Sequence, residues 1–268
     1  MCRKFSRTVI TAIAVLQLSI PMCHASRAKN ESPMPITVAE LNEAMGKLPV
    51  TSEMNISLIA RANGSGLSEA AYDLYKAAWS KDPNNGFRAL WCGMAAEHYE
   101  QFVFRVRTPG QGVNVDHEKG NKAFSDAQHQ LAQAAKLLPN SPTANAQYGH
   151  LLWQALNDEP RGIALVRKAS ALAPRDARVH AMLGDMYSSP NSKVFDETRA
   201  IAELKKASEI DPLYAYPHWR LMGLYGDMKR KKEARQEALT CFNLTLRTDK
   251  SVAHLKADYA FIEKQALQ

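Results

Sequence analysis

Cysteine is scarce and scattered in this chain: four in 268 residues, at positions 2, 23, 92 and 241, with no Cys-x-x-Cys pair. That excludes a disulfide-stapled scaffold and the usual zinc ribbons. Glycine and proline number only 13 each, which excludes collagen-like and low-complexity designs. No apolar run reaches the ~20 residues needed to span a bilayer as a helix. Phosphate-cradling glycine loops, nucleophile elbows and His-Glu-x-x-His helices are all missing, so no cofactor is implied. No stretch shows strand-like alternation. A formal charge of +7 over this length is too mild to call for nucleic acid.

The first 25 residues stand apart. Arg3, Lys4 and Arg7 precede a 12-residue, mostly apolar run from Val9 to Ile20, and Cys23 and Ala25 occupy the two positions a signal peptidase reads. This predicts a secretory signal, cleaved after Ala25, and an exported protein of the periplasm or the outside medium. Lipid attachment at Cys23 fits poorly, because Pro21 and Met22 depart from that processing box. Cleavage removes three positive charges and no acid, which lowers +7 to +4, with no membrane insertion afterwards. Cys92 and Cys241 then remain, both read as small buried apolar residues that do not meet.

Beyond that segment the chain repeats itself. Four alanine-rich helical patterns close on Pro83, Pro139, Pro174 and Pro212. Counting back five, eight and twelve residues gives Ala78, Tyr75, Ala71; Ala134, Leu131, Ala127; Ala169, Val166, Gly162; and Ala207, Leu204, Ala200. Small, bulky, small recurs at one offset, and steps of three and four lie along one helix face. Small residues let a neighbouring helix come close while the bulky one fills the groove between them. Counting forward, the tenth residue is Gly93, Gly149 and Gly184, and in the weakest copy Met222 with Gly223 beside it. These glycines read as packing devices that let the two helices of a hairpin touch.

The pattern resembles the tetratricopeptide repeat, a helix-turn-helix of ~34 residues, with some Sel1-like character in "HAMLGDMYSS…DETRAIAELKKA". Prolines 139, 174 and 212 stand 35 and 38 apart; the 56 between Pro83 and Pro139 marks an insertion. The resemblance implies an all-α, right-handed α-solenoid of about five repeats, at 52–85, 86–141, 142–176, 177–214 and 215–250. Before them come a polar linker (26–36) and a leading helix (37–51); after them a capping helix (251–268) covers the last apolar face. The irregular part of the insertion is placed at 107–120. First helices depart from the family at its Trp position, where Ala89, Asn145, His180 and His218 stand. His180, His218 and His254 recur one repeat apart, too far to share an ion, and are read as packing substitutes for that Trp.

The resemblance further implies a concave groove lined by first helices, in which a protein or peptide ligand is held. Mapped onto this chain, its candidate residues are His98, His150, Trp153, Arg178, Asp185, Tyr216, Trp219, Asp227 and Tyr259. Trp153, Tyr216, Trp219 and Tyr259 are the aromatic anchors, unless they pack inside the superhelix. The Lys and Asn that grip a C-terminal carboxylate in some family members are missing, so that clamp is not expected. The function so implied is a non-enzymatic interaction scaffold. A second reading seats a hydrolase-like or metal-dependent activity in the insertion, using His117 with Asp116 or Glu118, although three consecutive ligands cannot face one ion without the loop wrapping round it. The basic run Lys229 to Lys232 reads as a solvated turn. The glycan acceptors at Asn30, Asn55, Asn63 and Asn243 read as chance occurrences.

Overall fold

A computed structural model describes residues 35–105, 117–156 and 158–248. The described residues form eleven helices and no strand. They are α1 (Val38–Lys47), α2 (Met54–Gly64), α3 (Ser68–Ser80), α4 (Gly86–Arg105), α5 (His117–Leu137), α6 (Pro142–Gln154), α7 (Glu159–Leu172), α8 (Ala177–Ser188), α9 (Glu197–Ile210), α10 (Ala215–Asp227) and α11 (Lys231–Thr248). None is long and apolar enough to cross a membrane. The chain divides into two compact units, one ending at Pro174 and one beginning at Arg175. In the first, α4 packs mainly on α5 and α6 on α7; in the second, α8 on α9 and α10 on α11.

Helix starts and stops follow local chemistry. Thr37 and Glu40 close a capping box on α1. Ser141, Asp176 and Asp196 accept a backbone N–H at the starts of α6, α8 and α9, and Pro142 follows the first of these caps. Pro139, Pro174 and Pro212 each stand two residues past a helix end, because the residue before a proline is forced out of the helical region. Between α10 and α11, Arg230 N–H donates to Tyr225 O, and Lys229 takes the left-handed conformation with φ 59°. Lys229–Lys232 thus contributes two residues to a turn and two to the first turn of α11.

The repeated small–bulky–small face is the hairpin interface. Leu131, Val166 and Leu204 have no exposed surface, and neither have Ala127, Ala134, Ala169, Ala200 and Ala207. A methyl group added at Gly93 would fall 2.8 Å from Leu131 Cγ, and one at Gly184 would fall 2.5 Å from Leu204 Cγ. Gly149 and Gly162 face each other across α6 and α7. A methyl on Gly149 would sit 2.8 Å from Gly162 O, and one on Gly162 would sit 2.7 Å from Gly149 O. Gly223 has nothing within 4 Å, so at the weakest copy glycine has no packing role.

Two boundaries differ from the expectation. Residues 117–120 are the first turn of α5 and not part of an irregular segment. Glu118 in that turn suits the helix dipole, and packing of the buried Gly120 overrides its poor helix propensity. Much of the inserted length extends the hairpin itself: α4 and α5 have 20 and 21 residues, against 11 to 14 for α2, α3 and α6 to α9. At the other end, Ile36 is not part of a solvated linker. It packs with Leu41, Leu58, Ala62 and Ala71 in the core under α1.

The polar residues at the family's Trp position, which in the first repeat is Asn55, are bonded, and all but half-buried His218 are buried. Asn55 and Asn145 donate back to carbonyls just ahead of their own helices, at 2.8 Å to Ser52 O and 2.7 Å to Ser141 O. His180 and His218 each place Nδ1 2.6 Å from a carboxylate on the second helix of the same hairpin, Glu203 and Glu237. Each histidine therefore fastens a hairpin internally, by a bond where the family has ring packing. His254 lies outside the described residues. Both described cysteines are buried; burial pushes the Cys92 thiol up to about 12, so it is not a nucleophile near neutral pH.

Candidate functional site

The candidate groove residues fall into separate clusters. In the first unit, His98 on α4 is half-buried, while His150 is buried with its ring 5.5 Å from the ring of half-buried Trp153. In the second, Arg178 turns to Asp176, with Nη2 2.6 Å from Oδ2. Asp227 is exposed at the end of α10. Tyr259 lies outside the described residues, as does Asp116. Of the remaining insertion candidates, the His117 side chain is not described, and Glu118 is exposed at the start of α5. No group of three or more His, Cys, Asp or Glu among the described residues could hold a metal ion.

Asp185, Tyr216 and Trp219 do come together, where α8 and α10, the first helices of neighbouring hairpins, meet. The Tyr216 hydroxyl donates to Asp185 Oδ2, and Arg220 Nε lies 2.5 Å from Asp185 Oδ1. Arg220 Nη2 donates to Ser188 Oγ at 2.6 Å. The rings of Tyr214, Tyr216 and Trp219 follow one another at 6.0 and 5.5 Å, and the Arg220 guanidinium lies 5.3 Å from the Trp219 ring centre. Tyr214 is buried, whereas Tyr216, Trp219 and Arg220 are half-buried. Burial pushes the Asp185 carboxyl up, and Arg220 and Tyr216 pull it part of the way back. Burial and the charge of Asp185 push the Tyr216 phenol well above its ordinary value, so it stays a donor.

Arg220 was absent from the sequence-derived set. It occupies none of the family's groove positions, yet it stands 35 residues from Asp185, one repeat length. It also stands four residues from Tyr216, on the same helix face. Those two spacings were the available signals.

A second cluster had no sequence signal at all. Across α3 and α5, the Tyr72 hydroxyl donates to Asp126, and Lys76 Nζ lies 2.5 Å from the same carboxylate oxygen. Burial alone would raise the Asp126 carboxyl, but the bonds from Lys76 and Tyr72 outweigh it and hold it below its usual value. Tyr72 stacks on Tyr99 of α4 at 5.6 Å, at the floor of a 160 Å³ depression whose rim includes the Lys119–Glu69 pair and Lys122. Burial, with the bond to Asp126, pushes the Tyr72 phenol up to about 12, so it too is no base or nucleophile at neutral pH. The acceptor Asn55 is buried and accepts a bond from Tyr75, leaving no room for a glycan there.

A scan against protein-family models finds no match, and neither does a search of curated proteins. Solved structures do match. Human IFIT1, as a dimer with m7Gppp-AAAA, is 17% identical with TM-score 0.55, over 85% of this chain and 51% of that one, so the chain spans about half its length. A thermophilic TPR protein of Thermus thermophilus is 19% identical with TM-score 0.47, over 65% and 81% of the two chains. YrrB, described as a TPR protein with an unusual peptide-binding site, is 12% identical with TM-score 0.42, over 78% and 93%. Successive helix hairpins, three of which close on glycines facing bulky residues or backbone and four of which have a proline just past the second helix, make this an all-α, tetratricopeptide-repeat-like fold.

Proposed function

We propose that this protein is an exported, non-enzymatic scaffold that holds a peptide or helix of a protein partner against the first-helix face of its C-terminal unit. The observation that supports this reading is the run Tyr214, Tyr216, Trp219 and Arg220, in which three half-buried side chains follow a buried ring. Tyr, Trp and Arg are the residue types that carry most binding energy at protein interfaces, and they do so where they are partly sheltered from water. A partner segment laid along α8 and α10 would bury the remaining ring surface. The phenol and thiol named above are held in their neutral forms, which does not favour the enzymatic alternative.

The binding experiment compares the chain from Ser26 onward with Trp219→Ala and Asp227→Lys as baits in an exported-protein fraction, with circular dichroism checking each fold. Asp227 is exposed, so its reversal leaves packing alone while changing the charge of the face. Loss of the same captured protein from both variants is expected. Identical partners for all three baits, or retention of an RNA oligonucleotide in place of a protein, would overturn the reading. Export rests on the basic start, apolar run and Cys23–Ala25 site of the N-terminal segment. The exported protein is expected to have the mass of a chain beginning at Ser26, and a full-length mass would count against cleavage.

A further inference from the structure

The carboxylate at the centre of the C-terminal cluster has two unequal oxygens. Asp185 Oδ2 accepts the Tyr216 hydroxyl. Oδ1 lies 2.5 Å from Arg220 Nε as an ion pair, with the N–H off the hydrogen-bond direction. The Asp185 side chain is 5% exposed, while Arg220 is 28% exposed and borders solvent. Burial favours a proton on this carboxylate and the single off-axis cation opposes it, so the two forms are balanced by one contact.

We infer that Asp185 and Arg220 form a proton-operated latch between α8 and α10: ionised Asp185 holds Arg220 shut, and protonated Asp185 frees it for a partner's carboxylate. The proton goes to Oδ1, leaving the Tyr216 O–H on Oδ2 undisturbed. The pair then passes from net zero to +1, and an incoming carboxylate restores neutrality. The freed guanidinium keeps its bond to Ser188 Oγ and, being partly exposed, can rotate into water. The partner clause rests on the binding reading above; the latch itself does not.

The neighbouring charged groups are paired among themselves. From α10 it is faced by Tyr216 and Arg220, with Asp227 acting on Arg220 and Tyr214 on Tyr216. On α8, Ser188 bonds Arg220, whereas Arg178 is held by Asp176. From α9, Glu203 is bonded to His180, and from α11, Glu237 to His218. The burial that raises the Asp185 carboxyl places its protonation above the range of exposed aspartates as pH falls.

Trp219 reports the state directly, because the guanidinium lies over its ring. Its emission, taken as the difference between the partner-free chain from Ser26 onward and its Trp219→Phe variant because three other tryptophans are present, is followed between about pH 7 and about pH 4.5, with far-ultraviolet circular dichroism in parallel. A reversible transition at constant helicity is expected, lost in Asp185→Asn, which keeps an acceptor for Tyr216 but cannot titrate. The Arg220 Nε–H resonance of 15N-labelled wild type should shift with the same midpoint, a measurement that does not depend on the variant folding. No transition, one that persists in Asp185→Asn, or one that follows loss of helicity would overturn the latch. A transition without any pH dependence of partner capture would remove only the partner clause.

Discussion

Gly149→Ala is expected to destabilise the protein by about 2–3 kcal/mol, although alanine is the better helix former by ~1 kcal/mol. The new methyl would meet Gly162 O at 2.8 Å, Leu165 Cβ and Val166 Cγ2 at 2.9 Å. A clash with the far end of a flexible side chain is relieved by a rotamer change. Here the first obstacle is backbone, so α6 and α7 must part and loosen the contacts of buried Val166 with them. Gly162→Ala should behave alike, because its methyl meets Gly149 O at 2.7 Å and Trp153 N at 3.0 Å. Gly223→Ala is the control: α10 has open space there, so the helix-propensity gain of up to ~1 kcal/mol should appear undiminished. In thermal melts the first two should lose about 5–10 °C and the third gain a few degrees. Equal shifts in all three would mean that the glycines do not set the approach of the helices.

Arg220→Met should cost about 3–5 kcal/mol at neutral pH, the usual consequence of leaving a buried carboxylate without its cation. Methionine keeps an apolar stem of similar length but removes the guanidinium over the Trp219 ring, so the loss comes mainly from Asp185, with a smaller part from that ring contact and little from a cavity. The direction with pH follows from the raised folded-state value of Asp185. A carboxyl whose folded value lies above its unfolded one, ~3.9, favours the fold fully below that unfolded value and loses that contribution as pH rises through the folded one. Acidification should therefore rescue Arg220→Met, and the double variant Arg220→Met/Asp185→Asn should recover much of the loss at neutral pH. Urea titrations of wild type, both single variants and the double variant at two pH values give the coupling between the two residues. A loss independent of pH, or additive with Asp185→Asn, would show that the two side chains do not act on each other.

These two sites differ in how far they could be read without coordinates. Gly93, Gly149 and Gly184 were identifiable as contact points because repetition placed each at one distance from a proline. The partners Leu131, Val166 and Leu204 were likewise tied to fixed offsets. The insertion was legible as extra length but not as longer helices. A segment carrying Gly110, Gly112 and Gly120 has weak local preferences, and contact with α4 decides that α5 begins at His117. The groove positions were legible only as a family expectation. Burial of His150 against Trp153 and the turning of Arg178 to Asp176 depend on neighbours that no periodicity names.

Helical content, hairpin period, the stopping points and the small–bulky register were written in the sequence itself, because each depends on residues within about one helical turn or one repeat. The tertiary structure alone decided that Asp185 meets Arg220 and that Tyr72 and Lys76 meet Asp126. It likewise decided that the histidines at the Trp position reach a glutamate on the opposing helix. Such pairs form only when two helices are rotated about their axes so that particular faces meet. A single residue's change of register turns a side chain by about 100° and sends it to another neighbour.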